Sequence, residues 1–263
     1  MNVLIVFAHP ERQSLNGALL DVAVSALHAQ GHQVQVSDLY AMNWKATVDR
    51  DDFPGLKNTD RLKVAAESSK EFTARTLTDD VKAEQEKLLW ADTVILQFPL
   101  WWFTMPAILK GWVDRVYACG FAYGVGEHSD SRWGDRYGEG VMAGKRAMLI
   151  VTTGGWPEHY SARGINGPID DLLFPIHHGI LFYPGFTVLP PFVAYRADRT
   201  DDAKFALLEK DLRMRMSTLT ETPPIAYRQQ NGGDYQIPTM QLLPNLEEPG
   251  VTGFALHLQN RNK

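Results

Sequence analysis

Short apolar runs of strand length alternate with stretches of helical periodicity along the chain as far as Thr222. Val3 to Phe7 reads as a buried strand, followed by the turn His9-Pro10-Glu11-Arg12-Gln13. Ser14 then stands as an N-cap for a helix whose apolar face carries Leu19, Leu20, Ala23, Ala26 and Leu27, ended by Gly31. Gln33 to Leu39 alternates polar and apolar residues, as an edge strand does. Residues 43 to 78 read as a long polar excursion. Asp79 to Trp90 predicts a helix with Val81, Leu88 and Leu89 inward. Thr93 to Phe98 predicts a third strand, after which Pro106 opens a helix through Ile108, Leu109, Trp112 and Val113. Ala147 to Val151 predicts the fourth, and Ile169 to Leu181 a helix carrying Leu172, Leu173, Ile176 and Ile180. Phe186 to Leu189 is the fifth, closed by Pro190-Pro191, and Thr200 caps a last helix through Leu207, Leu208, Leu212 and Met216.

Strands alternating with helices imply βαβ crossovers. The expected fold class is α/β: a five-stranded parallel sheet in the order 2-1-3-4-5, with helices on both faces. The main domain is expected over 1–222. Residues 223–263 form an irregular C-terminal extension rich in Gln, Asn, Gly and Pro that keeps Tyr235, Ile237, Leu242, Leu243 and Phe254. Such a tail packs onto something, and its own domain or a partner subunit are the candidates.

Composition narrows the function classes. The 263 residues are 44% apolar, enough for one sizeable core. A formal charge of -5 with no dense Lys/Arg patch gives no footprint for nucleic acid. Cys119 is the sole cysteine, which excludes an internal disulfide and an all-cysteine metal site and points to a reducing, cytoplasmic compartment. The apolar stretch of MNVLIVFAHP is too short for a signal peptide or a membrane span.

Candidate chemistry gathers at the ends of the first, third and fourth strands, which are neighbours in the expected sheet, with the order reversing between the first and third. Pro99-Leu100-Trp101-Trp102-Phe103 sets three large aromatics where a strand ends, a wall suited to a flat heteroaromatic ligand, first of all a flavin. His9 to Asn16 leads into a helix N-terminus, which favours a phosphate, with Ser14 and Asn16 adding side-chain groups; ordinary capping by Ser14 is the other reading. Thr152-Thr153-Gly154-Gly155 lets backbone N–H groups approach a planar ligand edge-on, although a glycine pair at a strand end is also simply a turn. Trp156, His159 and Tyr160 lie just beyond. GxGxxG, GxxxxGK[ST] and GxSxG are absent. His177-His178 is no metal pair, because adjacent helical side chains point about 100° apart, and no metal is assigned.

With these loops in view, the chain resembles the NAD(P)H:quinone oxidoreductase family, the DT-diaphorase type of flavodoxin-like flavoprotein. The matching segments are AHPER-SLN (8–16), SDLYAMN (37–43), AEQEKL (83–88), QFPLWWF with PAILKGW (97–112), FAY (121–123), TTGG with Tyr160 and GIxG (152–167), and GIL-GF (179–186). The resemblance implies a flavodoxin-like homodimer binding FAD, in preference to FMN, with active sites at the subunit interface and two-electron reduction of quinones by NADH or NADPH; azo and nitroaromatic compounds also suit a flat slot. It implies that His9, Ser14, Leu15 and Asn16 hold the FAD phosphates and ribose, and that Pro99, Leu100, Trp101, Trp102, Phe103, Thr152, Thr153, Gly154 and Gly155 cradle the isoalloxazine. Tyr160 would face its pyrimidine edge and, with Gly154 and Gly155, stabilise charge there during hydride transfer. Phe103, Tyr123 and Tyr183 match positions lining the pocket where nicotinamide and quinone alternate.

The sequence departs from the pattern at three places. The family motif GIHG reads Gly164-Ile165-Asn166-Gly167 here, and Asn166 cannot take up a proton at neutral pH; His159 is the expected substitute for that histidine, Arg163 a second candidate. A family arginine on the first turn of the last helix corresponds to Lys204, which keeps the charge without the planar fork. Residues 130–144 form a longer segment, similar to bacterial drug-modulator quinone reductases. Two further readings stand beside the enzyme: a flavin-bearing ancillary subunit of a potassium-efflux type system, which shares the aromatic loop and TTGG, and an FMN electron carrier of the flavodoxin type. The C-terminal extension favours the oxidoreductase over both.

Overall fold

The computed structural model describes residues 1–57, 61–248 and 250–259. Strands β1 (Asn2–Phe7), β2 (Gln33–Asp38), β3 (Thr93–Pro99) and β6 (Arg146–Thr152) form a parallel sheet in the order β2-β1-β3-β6, and its last place is shared by β7 (Thr187–Val188) and β8 (Phe192–Ala194), both paired with β6. The 2-1-3-4-5 expectation holds, with the fifth strand in two pieces. Pro190 and Pro191 have no N–H to give to a ladder, so the strand breaks there and resumes two residues later rather than closing.

The pleat of β1 divides the core. Leu4 and Val6 face the layer holding Leu88, Leu109, Trp112 and Leu173, supplied by α3 (Asp79–Trp90), α4 (Ala107–Val116) and α5 (Ile169–Ile176). Val3, Ile5 and Phe7 face Leu19, Leu20, Ala23, Leu212 and Met216 from α1 (Leu15–Ala29) and α6 (Asp202–Ser217). Both faces of the sheet are covered, which is why its central strands read as unbroken apolar runs.

Several expectations are corrected. The polar excursion contains α2 (Val64–Ala74), whose inward residues are Ser68 and Glu71, bonded to Cys119 N and to Gly55 N, so no apolar periodicity announced it. In α3 Leu89 is exposed, and the buried face instead carries Glu84, which accepts from the Trp112 indole at 2.8 Å. The helix after Ile169 holds Pro175 and widens after Ile176 into a π-helix over His177–Phe182. Asp201, not Thr200, caps α6, its side chain accepting from Lys204 N, and Leu207 points to solvent.

The excursion is anchored by Arg115, buried in α4, whose guanidinium pairs with Asp52 at 2.8 Å and Asp80 at 2.6 Å and lies over Trp44. Two short strands, β4 (His128–Ser129) and β5 (Arg132–Trp133), make a hairpin ahead of β6. After Thr222 the chain packs back through buried Tyr227, Arg228 and Gln230, then forms the hairpin of β9 (Tyr235–Gln236) and β10 (Gln241–Leu242) and a 3-10 turn at Phe254–His257. No helix among the described residues is long and apolar enough to cross a membrane.

Candidate active site

The carboxyl ends of β1, β3 and β6 open on one cleft of about 290 Å³. His9, Ser14, Leu15 and Asn16 line it from the first loop, Pro99, Leu100 and Trp101 from the second, and Thr152, Thr153 and Gly154 from the third. The cleft lies between β1 and β3, where the strand order reverses. Ala197 and Asp198 complete it; neither stood out in the sequence, because they follow a strand that the diproline had seemed to end.

The first loop is folded by its own side chains. Ser14 Oγ accepts from Gly17 N and lies 3.0 Å from His9 Nδ1, which also meets Glu11 N at 3.1 Å and Glu11 O at 2.9 Å, so the imidazole is held at Nδ1. Gly17 sits directly on the Arg12 carbonyl, where a Cβ would fall 1.8 Å from that oxygen. The first turn of α1 thereby aims its N–H groups and positive dipole end at the cleft. Ser14 thus serves as helix cap and cleft wall together.

The three loops are cross-linked. Asn16 Nδ2 donates to Thr152 Oγ1 at 2.6 Å, Gln97 Nε2 donates to Asn16 O at 2.7 Å, and Leu100 N donates to Thr152 O at 2.8 Å. Asn16 is 3% exposed, yet its Oδ1 has no partner among the described residues. A buried acceptor left open in a cleft is a vacancy for a donor such as a ribityl hydroxyl. A Cβ built at Gly154 meets nothing nearer than Asp198 Oδ1 at 3.9 Å, so that backbone faces open space. These features fit a flavin.

Trp101 is 42%, Trp102 93% and Phe103 49% exposed. Trp102 and Phe103 both take positive φ, 49° and 64°, in a tight turn closed by reciprocal backbone bonds between Trp101 and Thr104. Left-handed backbone at two bulky residues is uncommon and concentrates at ligand-holding segments. Trp102 and Phe103 are not among the cleft's lining residues; they extend its wall outward. His9 and Trp101 approach at 6.1 Å between ring centroids.

Behind the glycine pair, Tyr160 is buried and its Oη lies 2.7 Å from Thr153 Oγ1, which also receives Gly155 N at 3.4 Å. A side chain at Gly155 would strike the Tyr160 ring at 2.6 Å. The structure does not bring His159 to Tyr160: its imidazole is exposed and Nδ1 receives Trp156 N at 3.4 Å. Asn166 is joined to this turn by its backbone, N donating to His159 O. Lys204 does not line the cleft either. Its Nζ donates to Tyr195 O at 2.7 Å and Arg196 O at 3.0 Å, holding the loop that carries Ala197 and Asp198. Arg196, also unforeseen, stacks over Trp156 at 3.9 Å with left-handed φ.

Tyr123 and Tyr183 form a separate group. Burial is the main cause raising the Tyr123 phenol above its ordinary pKa, with Tyr183 nearby contributing, and Tyr137 packs edge-on to Tyr183 at 4.9 Å. Neither lines the cleft of the same chain.

Comparison with known proteins agrees with this geometry. The family model for a flavodoxin-like fold matches residues 1–216. The chain is 62% identical to the ribosyldihydronicotinamide dehydrogenase-like protein traD of Penicillium crustosum, over 98% of this chain and 95% of that one. A Klebsiella pneumoniae structure provisionally named a quinone reductase superposes with a TM-score of 0.96 at 62% identity, covering 98% of this chain and 99% of the other. NAD(P)H dehydrogenase [quinone] 1 of Rattus norvegicus is 41% identical over 85% of this chain and 79% of its own length. The chain belongs to the flavodoxin-like NAD(P)H:quinone oxidoreductase family.

Proposed function

We propose that this protein is a cytoplasmic, homodimeric, FAD-dependent enzyme that reduces quinones by two electrons at the expense of NADH or NADPH. Residues 1–222 serve as its catalytic domain and 223–263 as an extension packed on it. The observation that carries the reading is the single cleft at the strand-order reversal, with a phosphate-favouring helix end on one side, an exposed aromatic wall on the other and the open Asn16 acceptor between them.

FAD, when bound, supplies an atom that accepts hydride from the nicotinamide and returns it to the quinone. The rest is done by the protein. The N-terminal turn of α1 neutralises phosphate charge, with His9 and Ser14 at its edge. Pro99 to Phe103 and Thr152 to Gly155 orient the ring system and exclude water from one of its faces. Backbone N–H groups at Gly154 and Gly155 meet negative charge at the ring's edge. When Thr153 Oγ1 donates to Tyr160 Oη, the phenol's own hydrogen is free for an acceptor in the cleft. Phe103 provides one wall of the acceptor slot, and Tyr123 and Tyr183, remote from the cleft of their own chain, complete it from the second subunit. Asn166 can donate a hydrogen bond where the family places a histidine but cannot accept the proton, and His159, whose carbonyl receives Asn166 N, is the side chain proposed in its place.

The ancillary-subunit reading shares the cleft but predicts negligible turnover. Purified protein is expected to be yellow, to release FAD on heating and to oxidise NADH or NADPH rapidly with a small quinone under anaerobic conditions. Dihydronicotinamide riboside belongs in the same series, given the name of the Penicillium relative. Light scattering is expected to report a dimer. Bound flavin without quinone-dependent turnover with any of these reductants would move the protein to the ancillary class; a colourless protein that binds no added flavin would sink both.

A further inference from the structure

The C-terminal extension closes a second cavity of about 400 Å³ that shares no lining residue with the cleft. Its lining includes one continuous stack of rings. Phe174 stacks on His178 at 4.6 Å and on Phe254 at 4.2 Å, and Tyr137 stacks on the far side of the same cluster, 4.6 Å from His178. Tyr235 Oη, bonded to His257 Nδ1 at 2.8 Å, completes the enclosure.

Among the described residues, the charged side chains that line this cavity are compensated with one exception. Arg228 is held between Asp234 at 2.7 Å and Glu247 at 2.5 Å, and on the hairpin side Arg132 pairs with Asp135 at 2.6 Å and Glu139 at 2.8 Å. Asp170 opens on a neighbouring hollow. Burial pushes the pKa of His178 down to about 4, and burial, with Arg228 nearby, lowers that of His257. Arg136 lines the cavity, and among the described residues its partners are all neutral: Nε donates to Gln230 Oε1 at 2.6 Å, one terminal nitrogen to Tyr183 Oη at 3.4 Å, and the guanidinium lies over the Tyr183 ring. A half-buried, permanently charged guanidinium facing an aromatic chamber without a carboxylate has unused capacity for an anion.

We propose that this cavity binds a planar aromatic monoanion, its ring packed along the edges of the Phe174, His178 and Tyr137 stack and its carboxylate or sulfonate on Arg136. The volume suits one or two fused rings. The site shares no lining residue with the flavin cleft of its own chain, and through Arg136 it touches Tyr183, which the proposed function places at the acceptor slot of the second subunit. Its other lining residues, beside Phe174 and His178, come from the 130–144 segment and the tail.

Calorimetric titration of the full-length, flavin-loaded protein with 2-naphthoate and its neutral counterpart 2-naphthamide tests this. Wild type is expected to prefer the acid by roughly tenfold or more. Arg136→Gln removes the preference by weakening the acid alone, Arg136→Lys keeps part of it, and Phe254→Ala weakens both compounds. Equal affinity of wild type for the two, an acid preference that survives Arg136→Gln, or acid binding unmoved by Phe254→Ala each overturns the proposal. Flavin content, read separately from visible absorbance, reports on the cleft and not on this site.

Discussion

Asn16 and Thr152, 136 residues apart in sequence, meet at 2.6 Å through Nδ2 and Oγ1. The contact fastens the helix end that follows β1 to the loop that follows β6, with Gln97 of β3 gripping the Asn16 carbonyl between them. Asn16→Leu breaks the first bond and withdraws the open acceptor. Loss of a buried hydrogen-bonded pair costs about 1–3 kcal/mol, so thermal melting is expected to fall by several degrees and flavin affinity, measured by fluorescence quenching, by at least an order of magnitude. Loss of stability with unaltered flavin affinity would show that Asn16 Oδ1 meets no cofactor group.

Tyr160 has its hydroxyl on Thr153 and its ring under Gly155. Tyr160→Phe keeps the ring, so flavin retention should be unchanged. Removing one donor aimed at developing charge lowers the turnover number by about 100- to 1000-fold, seen as slower flavin bleaching by NADH in a stopped-flow trace. Thr153→Val, which frees the phenol without deleting it, should fall between. In His159→Ala the same bleaching rate tests whether that imidazole substitutes for the family histidine, and an unchanged rate discards the idea.

His177 is buried, and burial pushes its pKa down to about 3, while that of His178 falls to about 4, from burial first and His257 second. Between these values and the unfolded pKa near 6.5 the unfolded chain binds more protons, so stability is fully present above about pH 6.5 and is lost as pH falls. For His177 the slope reaches about 1.4 kcal/mol per pH unit. Its Nε2 has no partner among the described residues, so His177→Leu leaves no broken bond there. Urea midpoints at pH 4.5 and 7.5 should differ less in His177→Leu than in wild type; an identical difference would place the acid sensitivity elsewhere.

Arg115, buried between Asp52 and Asp80 and stacked over Trp44, is the strut of the 43–53 excursion. Removing one member of a buried ion cluster strands the others, at about 3–5 kcal/mol. Arg115→Ala should therefore unfold at clearly lower denaturant, whereas Lys110→Ala, which breaks an exposed pair with Asp114 on the same helix, should shift the midpoint hardly at all.

The sheet order and the three loops of the cleft were legible because each depends on local signals: apolar runs, a Ser cap, glycines and aromatics at strand ends. What escaped depends on distant partners. Glu71 and Ser68 hold α2 in place by hydrogen bonds, which leave no apolar stripe to read. Ala197 and Asp198 reach the cleft only because β8 resumes after the prolines, and Lys204 was judged by its position on the helix, whereas its chain bends back to two carbonyls.

The broken fifth strand constrains how this protein can change. Thr153 N donates to Ala194 O and Arg196 N to Gly155 O, so 192–199 is laced onto the glycine loop in a fixed frame. Side chains along extended backbone alternate between faces. Deleting one residue of Pro190-Pro191 would therefore turn the side chains of Phe192–Ala194 to the opposite faces and displace the turn that carries Arg196 and Asp198 from the glycine loop. The diproline works as a spacer whose length, more than its rigidity, decides where the turn with Asp198 meets the cleft.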